Sequence, residues 1–223
     1  MRQTISSHRK IIALHLMLSA FSSALLFAAV SYSGSKIFTF LVWNLFLAWI
    51  PLLVSLWIES NQDKHLGVLL LAGAAWLLFF PNAPYIVTDL VHFEPRGKTT
   101  ALFLLQLFTL LSFAFAGLMI GMFSLRIIHR ILLRTLSATK SWAVVCCVLF
   151  LASFGIYLGR FQRWNSWDVL TDPLALFSDI FRRILSPLDH PRTFVVTLLL
   201  FALLLVVYIL FCKTGKKISR DPS

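Results

Sequence analysis

The sequence predicts an all-α, polytopic transmembrane helix bundle of about six spans, on the evidence of its composition and its long apolar stretches. Hydrophobic residues make up 59% of the 223 residues and charged residues 13%, and the mean hydropathy is +0.84. A soluble fold of this composition would have too little polar surface to cover itself. A helix that crosses a hydrocarbon core of about 30 Å needs roughly 20 apolar residues, because lipid cannot satisfy exposed backbone groups.

Six stretches of the chain have that length and composition. They cover residues 11–33, 37–58, 66–82, 100–124, 141–159 and 193–212. We therefore expect one integral-membrane domain over residues 1–223, with short interfacial helices in the loops after the third and fifth spans.

The distribution of Lys and Arg predicts the orientation in the membrane. Cytoplasmic loops of membrane proteins carry an excess of these residues, and here the excess falls on the side of the two chain ends. We expect both termini to be cytoplasmic. The net charge of +11 then favours anionic membrane lipids as partners and not nucleic acid. Because two spans separate the loop after span three from the loop after span five, both loops are expected on one face.

The first unusual stretch is FPNAPYIVTDLVHFE, residues 80–94. Pro81 is expected to end the third helix, while Asn82 caps a new segment with Pro84 in its first turn. An α-helix from residue 83 would place its polar side chains on one side, opposite Ile86, Leu90 and Phe93. The polar side chains are Tyr85, Thr88, Asp89, His92 and Arg96.

Two interpretations of this stretch stay open. It is either an ordinary interfacial helix or the support for an acid–base pair formed by Asp89 and His92, which share a helical face at a spacing of three. The same two residues could ligate a metal, but the third ligand that zinc requires is missing. We therefore predict no metal site, and the sequence indicates no cofactor.

The second unusual stretch is GRFQRWNSWDVLTDP, residues 159–173. Arginine mixed with tryptophan is typical of an interfacial anchor, and Asn165 with Asp168 resembles a helix-capping arrangement. Alternatively, Arg160 and Arg163 bind a phosphate or carboxylate. Residues 173–185 follow as an amphipathic helix on the outer surface, with apolar side chains opposite its charged ones. The apolar set is Leu174, Phe177, Phe181, Ile184 and Leu185, and the charged set is Asp179, Arg182 and Arg183.

Inside the predicted spans, small and polar residues indicate helix packing. Gly117 and Gly121 form a GxxxG motif, which allows close backbone approach in lipid. Asn44 and Gln106 are amides within spans and are expected to form interhelical hydrogen bonds. We find no ionisable residue in the middle of a span, which weakens a proton-coupled transporter or channel.

WLLFFPNAPYIVTDLVHF and RWNSWDVL resemble the signature stretches of a bacterial integral-membrane family called domain of unknown function 1361. The resemblance covers roughly residues 40–212 and implies a polytopic protein of the bacterial plasma membrane. It implies no activity. The residues that match the family's hallmarks are Pro81, Asn82, Pro84, Tyr85, Asp89, His92, Asn165, Trp167 and Asp168.

Two functions follow as alternatives. In the first, a polar site at the outer face binds or processes a membrane-derived or anionic substrate. Asp89, His92 and Asp168 are then catalytic. The binding residues are Asn82, Tyr85, Arg160, Arg163, Asn165 and Trp167. In the second, the protein is a non-catalytic scaffold, and the same residues form a structural ion-paired lid.

Overall fold

The protein is helical, with no strand, in the residues that its structure, a computed structural model, describes: residues 2–93 and 99–217. Six helices in these ranges are long and apolar enough to cross a membrane, which confirms the predicted fold class. They are His8–Ser33, Phe40–Ser60, Leu66–His92, Thr100–Thr135, Ala138–Gln162 and Pro191–Thr214. The chain divides into two compact units, residues 1–131 and 132–223. That the whole chain is a single domain stays a prediction.

Each unit has its own set of helices. Unit 1 contains α1 (Arg2–Ser33), α2 (Phe40–Ser60), α3 (Leu66–Phe79), α4 (Asn82–Tyr85), a 3₁₀ helix (Ile86–His92) and most of α5 (Thr100–Thr135). Unit 2 contains α6 (Ala138–Tyr157), a π turn (Leu158–Gln162), α7 (Asp168–Thr171), α8 (Pro173–Leu185) and α9 (Pro191–Lys217). At about 1.5 Å per residue, α5 is longer than a hydrocarbon core is thick, so one end of it extends beyond the membrane interior.

The third candidate span continues through its prolines instead of ending at them. Pro81 and Pro84 each lack an N–H donor, yet the Tyr85 N–H donates to the Pro81 carbonyl oxygen at 3.0 Å. The chain therefore stays helical through α4 and the 3₁₀ helix, and the candidate span reaches His92. The sequence places the end of this span near residue 82 because proline usually terminates a regular helix. Here the regular helix α3 ends at Phe79, and the span resumes as α4 at Asn82.

The predicted polar stripe is not what the structure contains. Ile86 and Asp89 are both buried, at 0% and 1% exposure, so an apolar residue and a polar residue share the inward face. The segment is a 3₁₀ helix, in which residues three apart eclipse each other. Asp89 lies three residues before the end of the candidate span Leu66–His92, so the expectation that no ionisable residue lies in the middle of a span is not contradicted by it. Arg96, the last residue of the predicted stripe, lies outside the described residues.

The GxxxG motif of α5 packs against the turn between the two prolines. A Cβ atom on Gly117 would lie 2.6 Å from the Ala83 carbonyl oxygen and 2.7 Å from Cδ1 of Ile86. A Cβ atom on Gly121 would lie 3.0 Å from the Cβ of Ala83. Close backbone approach at these glycines is thus confirmed, and α4 is the segment that requires it.

Polar side chains join the helices of unit 1 within the apolar interior. The Trp76 Nε1–H donates to Ser124 Oγ at 2.8 Å, and the Ser124 hydroxyl donates to the Pro51 carbonyl oxygen at 2.9 Å. These bonds connect α3, α5 and α2. His8 and Glu59 connect α1 to α2 through a 3.1 Å contact between Nε2 and Oε2.

Unit 2 is built on two antiparallel helices, α6 and α9. The ring of Trp142 contacts that of Tyr208 at a centroid distance of 5.8 Å, and Phe150 contacts Phe201 at 6.0 Å. As the residue number rises along α6 it falls along α9, so the helices run in opposite directions. The segment between them holds α7 and α8.

Candidate functional site

A pocket of about 400 Å³ lies in unit 1, where α1 ends, α2 begins and the 3₁₀ helix ends. Its lining combines apolar side chains with hydroxyl, imidazole and carboxamide groups. The lining residues are Ser33, Ser35, Ile37, Phe38, Phe40, Val91, His92, Leu102 and Gln106. A few polar groups in a mostly apolar cavity are typical of small-molecule sites.

Gln106 is the most unusual residue of this lining. Its side chain is 4% exposed, and within the described part of the chain its Oε1 has no hydrogen-bond partner. The expected interhelical hydrogen bond is therefore not found at this oxygen. An unsatisfied buried acceptor costs about 1–3 kcal/mol, so Gln106 is a poor choice for packing alone. Its Oε1 is an acceptor that the described protein groups leave unsatisfied.

His92 lines the pocket beside Gln106 and is held by an aromatic contact. Its ring meets that of Phe40 edge-on, with centroids 5.5 Å apart. The ring is exposed, and His92 is the one ionisable residue among the nine that line the pocket. Imidazole can donate or accept a hydrogen bond near neutral pH, so it is suited to a polar ligand or to proton transfer.

Asp89 lies one 3₁₀ turn before His92 and is tied to α2. The Asn44 Nδ2–H donates to Asp89 Oδ2 at 2.9 Å. Asn44 and Phe40 are four residues apart on α2, so Asp89 and His92 contact the same face of that helix. The predicted interhelical hydrogen bond of Asn44 is confirmed. Asp89 is buried and does not line the pocket, and its bond to Asn44 holds the 3₁₀ helix against α2.

The other two predicted residues of this stretch support the kink. The Asn82 Nδ2–H donates to the Phe79 carbonyl oxygen at 3.0 Å, which satisfies a backbone acceptor at the end of α3. The Tyr85 carbonyl oxygen accepts from the Thr88 hydroxyl at 2.7 Å. Neither residue lines the pocket. Their predicted roles in binding stay predictions.

In unit 2, Asp168 caps a local turn. Its Oδ2 accepts from the Asn165 N–H at 2.7 Å and from Nδ2 of the same residue at 3.3 Å, and its Oδ1 accepts from the Thr171 hydroxyl at 3.1 Å. The predicted contact between Asn165 and Asp168 is confirmed, but the N-cap position of α7 is Trp167, whose side chain makes no capping hydrogen bond. Asp172 caps α8 by accepting from the Ala175 N–H. The predicted catalytic role of Asp168 stays a prediction.

Arg160 and Arg163 lie at the π turn that ends α6. Arg163 has a φ of 63°, in the left-handed region, and its N–H donates to the Leu158 carbonyl oxygen. Such a residue commonly terminates a helix. The side chains of Arg163 and Trp167 are exposed, while Arg160 is half-buried. Their predicted anion-binding role stays a prediction.

An ion-paired cluster in unit 2 was not singled out as a site by the sequence. Arg183, 6% exposed, donates from NH2 to Asp179 Oδ1 at 3.1 Å and from NH1 to the Thr193 hydroxyl at 3.3 Å and the Tyr157 hydroxyl at 3.5 Å. The Trp164 Nε1–H donates to Asp179 Oδ2 at 3.0 Å. The i, i+4 spacing of Asp179 and Arg183 is the sequence signal for this pair.

Burial and hydrogen bonding act in opposite directions on Asp179. Burial alone raises the pKa of its carboxyl group, but hydrogen bonds from Arg183, Arg182 and Trp164 outweigh burial, so the net pKa is lowered from 3.8. The carboxylate form is therefore the one that the cluster stabilises.

The structure thus places the predicted residues in two sets, each described in its own unit. Unit 1 holds Asn82, Tyr85, Asp89 and His92, and unit 2 holds Arg160, Arg163, Asn165, Trp167 and Asp168. Among the described residues, no group of three or more His, Cys, Asp or Glu side chains could hold a metal ion.

Comparison with known proteins identifies the family. The family model described as "Protein of unknown function (DUF1361)" matches residues 43–207, and this match includes both signature stretches. No curated protein and no solved structure matches the chain. Since the match covers well over half of the chain, the protein is a multi-pass helical membrane protein that belongs to the DUF1361 family.

Proposed function

We propose that this protein binds the polar part of a membrane-derived molecule in the pocket lined by Gln106 and His92. One observation carries the proposal: Gln106 Oε1 is buried without a partner among the described residues, in the lining of a cavity large enough for a headgroup. An apolar residue would be more stable at that position. Retaining an unsatisfied acceptor is explained when a ligand supplies the missing donor.

The lining favours a neutral ligand that carries hydroxyl or amide N–H groups. The described part of the lining contains no Lys or Arg, and the nearby Asp89 would repel an anion if ionised. Gln106 supplies an acceptor and the His92 ring supplies either a donor or an acceptor. A glycerol, sugar or amide headgroup fits this set better than a bare phosphate.

Processing of the ligand would depend on His92. It is the one ionisable side chain in the described lining, and imidazole is the side chain that most often acts as a general acid or base. Asp89 acts in this proposal by fixing the 3₁₀ helix against Asn44. Binding is therefore the proposed activity, with proton transfer by His92 as an extension.

The proposed location is a bacterial plasma membrane with both termini in the cytoplasm. The family resemblance supports the membrane, and the Lys and Arg bias supports the orientation. Cysteines substituted at Lys36 and Lys64 test it in intact cells, since these loop positions lie one span apart. An impermeant thiol reagent is expected to label position 36 alone, and labelling of position 64 alone would reverse the orientation.

Lipid analysis of the purified protein tests the binding proposal. Wild type and Gln106→Leu are purified in mild detergent, and the retained lipids are quantified by mass spectrometry. We expect one lipid class to be enriched over the membrane average in the wild type and reduced at least fivefold in Gln106→Leu. Gln62→Leu, which changes an exposed glutamine outside the pocket, is the matched control. Equal lipid profiles in all three proteins would contradict the proposal.

A second candidate function, a non-catalytic scaffold, is favoured by the cluster of Asp179 and Arg183. That cluster ties α8 to α6 and α9 and lines neither cavity described in unit 1. Substitution His92→Ala separates the two functions, because His92 lines the pocket. Loss of a phenotype with normal protein abundance supports binding, and loss of the folded protein supports the scaffold.

A further inference from the structure

Helix α8 has three faces of different chemistry, and its charged face is the one that packs inward. Leu176 and Arg183 are buried, and Asp179 is largely covered. Ser178 and Arg182 are exposed on a polar face. The remaining face is apolar and exposed, and its members are Leu174, Phe177, Phe181, Ile184 and Leu185. The amphipathic helix predicted from the sequence thus docks through its ion pair and leaves its apolar side uncovered within unit 2.

The contacts of Arg183 fix the level of α8 relative to the membrane spans. Its guanidinium group bonds Tyr157 and Thr193. Tyr157 precedes the end of the span Ala138–Gln162, and Thr193 follows the start of the span Pro191–Thr214. At about 1.5 Å per residue, these positions lie roughly 3–7 Å inside the ends of the two spans. In-plane amphipathic helices sit about 5–10 Å into the headgroup and acyl boundary.

A charged residue at this level needs full compensation, and the cluster supplies it. Asp179 accepts two hydrogen bonds from Arg183, at 3.1 and 3.3 Å. NH1 of Arg183 donates to the hydroxyl groups of Tyr157 and Thr193. Polar groups at membrane depth are paired in this way when they face protein. The pairing allows the charged face to point inward while the apolar face points away from the unit.

We infer that α8 is an in-plane membrane helix whose apolar face, Leu174 to Leu185, is covered by the acyl chains of one leaflet. The 13 residues of α8 are too few to cross a bilayer, and Arg183 holds them at the depth where hydrocarbon begins. The exposed Ser178 and Arg182 then face the headgroups and water. This surface is independent of the pocket in unit 1.

Fluorescence quenching in nanodiscs tests the inference with two adjacent positions. Phe177→Cys and Ser178→Cys, which differ by about 100° around the helix, are labelled with an environment-sensitive fluorophore. Spin-labelled phosphatidylcholine quenches from the acyl chains, and iodide quenches from water. We expect lipid quenching at least threefold stronger than iodide quenching at position 177, and the reverse order at position 178. Phe181→Cys, at a position 59% exposed in the middle of the apolar face, repeats the measurement if Phe177→Cys does not fold.

Two results would overturn the inference. Strong iodide quenching at positions 177 and 181 would place the apolar face in water. Protection of both positions from iodide and from spin-labelled lipid would show that a second copy or another protein covers the face.

Discussion

Replacing Gln106 by leucine should stabilise the delipidated protein. The buried Oε1 has no partner among the described residues, and such an acceptor costs about 1–3 kcal/mol relative to one that is satisfied or absent. Leucine has a similar size and no polar atom. We therefore expect the free energy of unfolding of Gln106→Leu to exceed that of the wild type by about 1–3 kcal/mol.

Added ligand should reverse this order. A ligand that binds only the folded state stabilises it by RT ln(1 + [L]/Kd), which is about 2.7 kcal/mol at one hundred times Kd. That gain applies to the wild type, whose carboxamide receives the ligand's donor, and is reduced in Gln106→Leu. The wild type is then expected to equal or exceed the variant in stability.

Equilibrium unfolding in mixed micelles measures both effects. Wild type, Gln106→Leu and the control Gln62→Leu are compared after delipidation and again with the lipid extract of the source membrane. Gln62 is exposed, so its substitution should change stability by less than about 0.5 kcal/mol. If Gln106→Leu instead destabilises the delipidated protein by 1 kcal/mol or more, Gln106 has a structural partner and our reasoning about the pocket is refuted.

Three further predictions concern packing and the ion pair. Gly117→Ala should destabilise unit 1 by about 1–3 kcal/mol, the usual cost of overpacking, because its Cβ would lie 2.6 Å from a carbonyl oxygen. A Cβ atom on Gly73 would have no neighbour within 4 Å, so Gly73→Ala should be neutral or stabilising by up to about 1 kcal/mol. Equal effects of the two glycine substitutions in unfolding titrations would contradict the close packing at Gly117. Asn44→Leu should cost about 0.6–2 kcal/mol, as interhelical hydrogen bonds do, and a cost near zero in the same titration would show that its bond to Asp89 is unimportant. The pKa of Asp179 is lowered from 3.8, so the stability that its carboxylate contributes is complete above that value and is lost as the pH falls through the lowered pKa. Tryptophan fluorescence should report this acid transition in the wild type and not in Asp179→Asn. Identical acid profiles of the two proteins would contradict the prediction.

The sequence predicted the helical architecture because membrane insertion depends on the length of apolar stretches, a local property. It could not predict the path of the third span. Proline lowers the expectation of a helix. Only the three-dimensional structure shows that the chain after Pro81 packs closely against α5, where Gly117 faces Ala83. The burial of Asp89 was also not predicted, because it depends on the packing of the 3₁₀ helix against α2, where Asn44 donates to its carboxylate.

The candidate site was only partly predictable for the same reason. Asp89 and His92 were found from their spacing, and the contact of Asp168 with Asn165 was found from local pattern. Gln106 and Arg183 were given packing or surface roles, because their importance comes from what surrounds them in three dimensions. The sequence shows that Gln106 is an amide within a span, but only the structure shows that its oxygen lacks a hydrogen-bond partner among the described residues.

An experimental density map of the protein in a lipid nanodisc tests the central claim most directly. We predict non-protein density in the pocket beside His92, with a polar atom within hydrogen-bond distance of Gln106 Oε1. A map in which that oxygen bonds a protein group and side chains fill the cavity would contradict the claim.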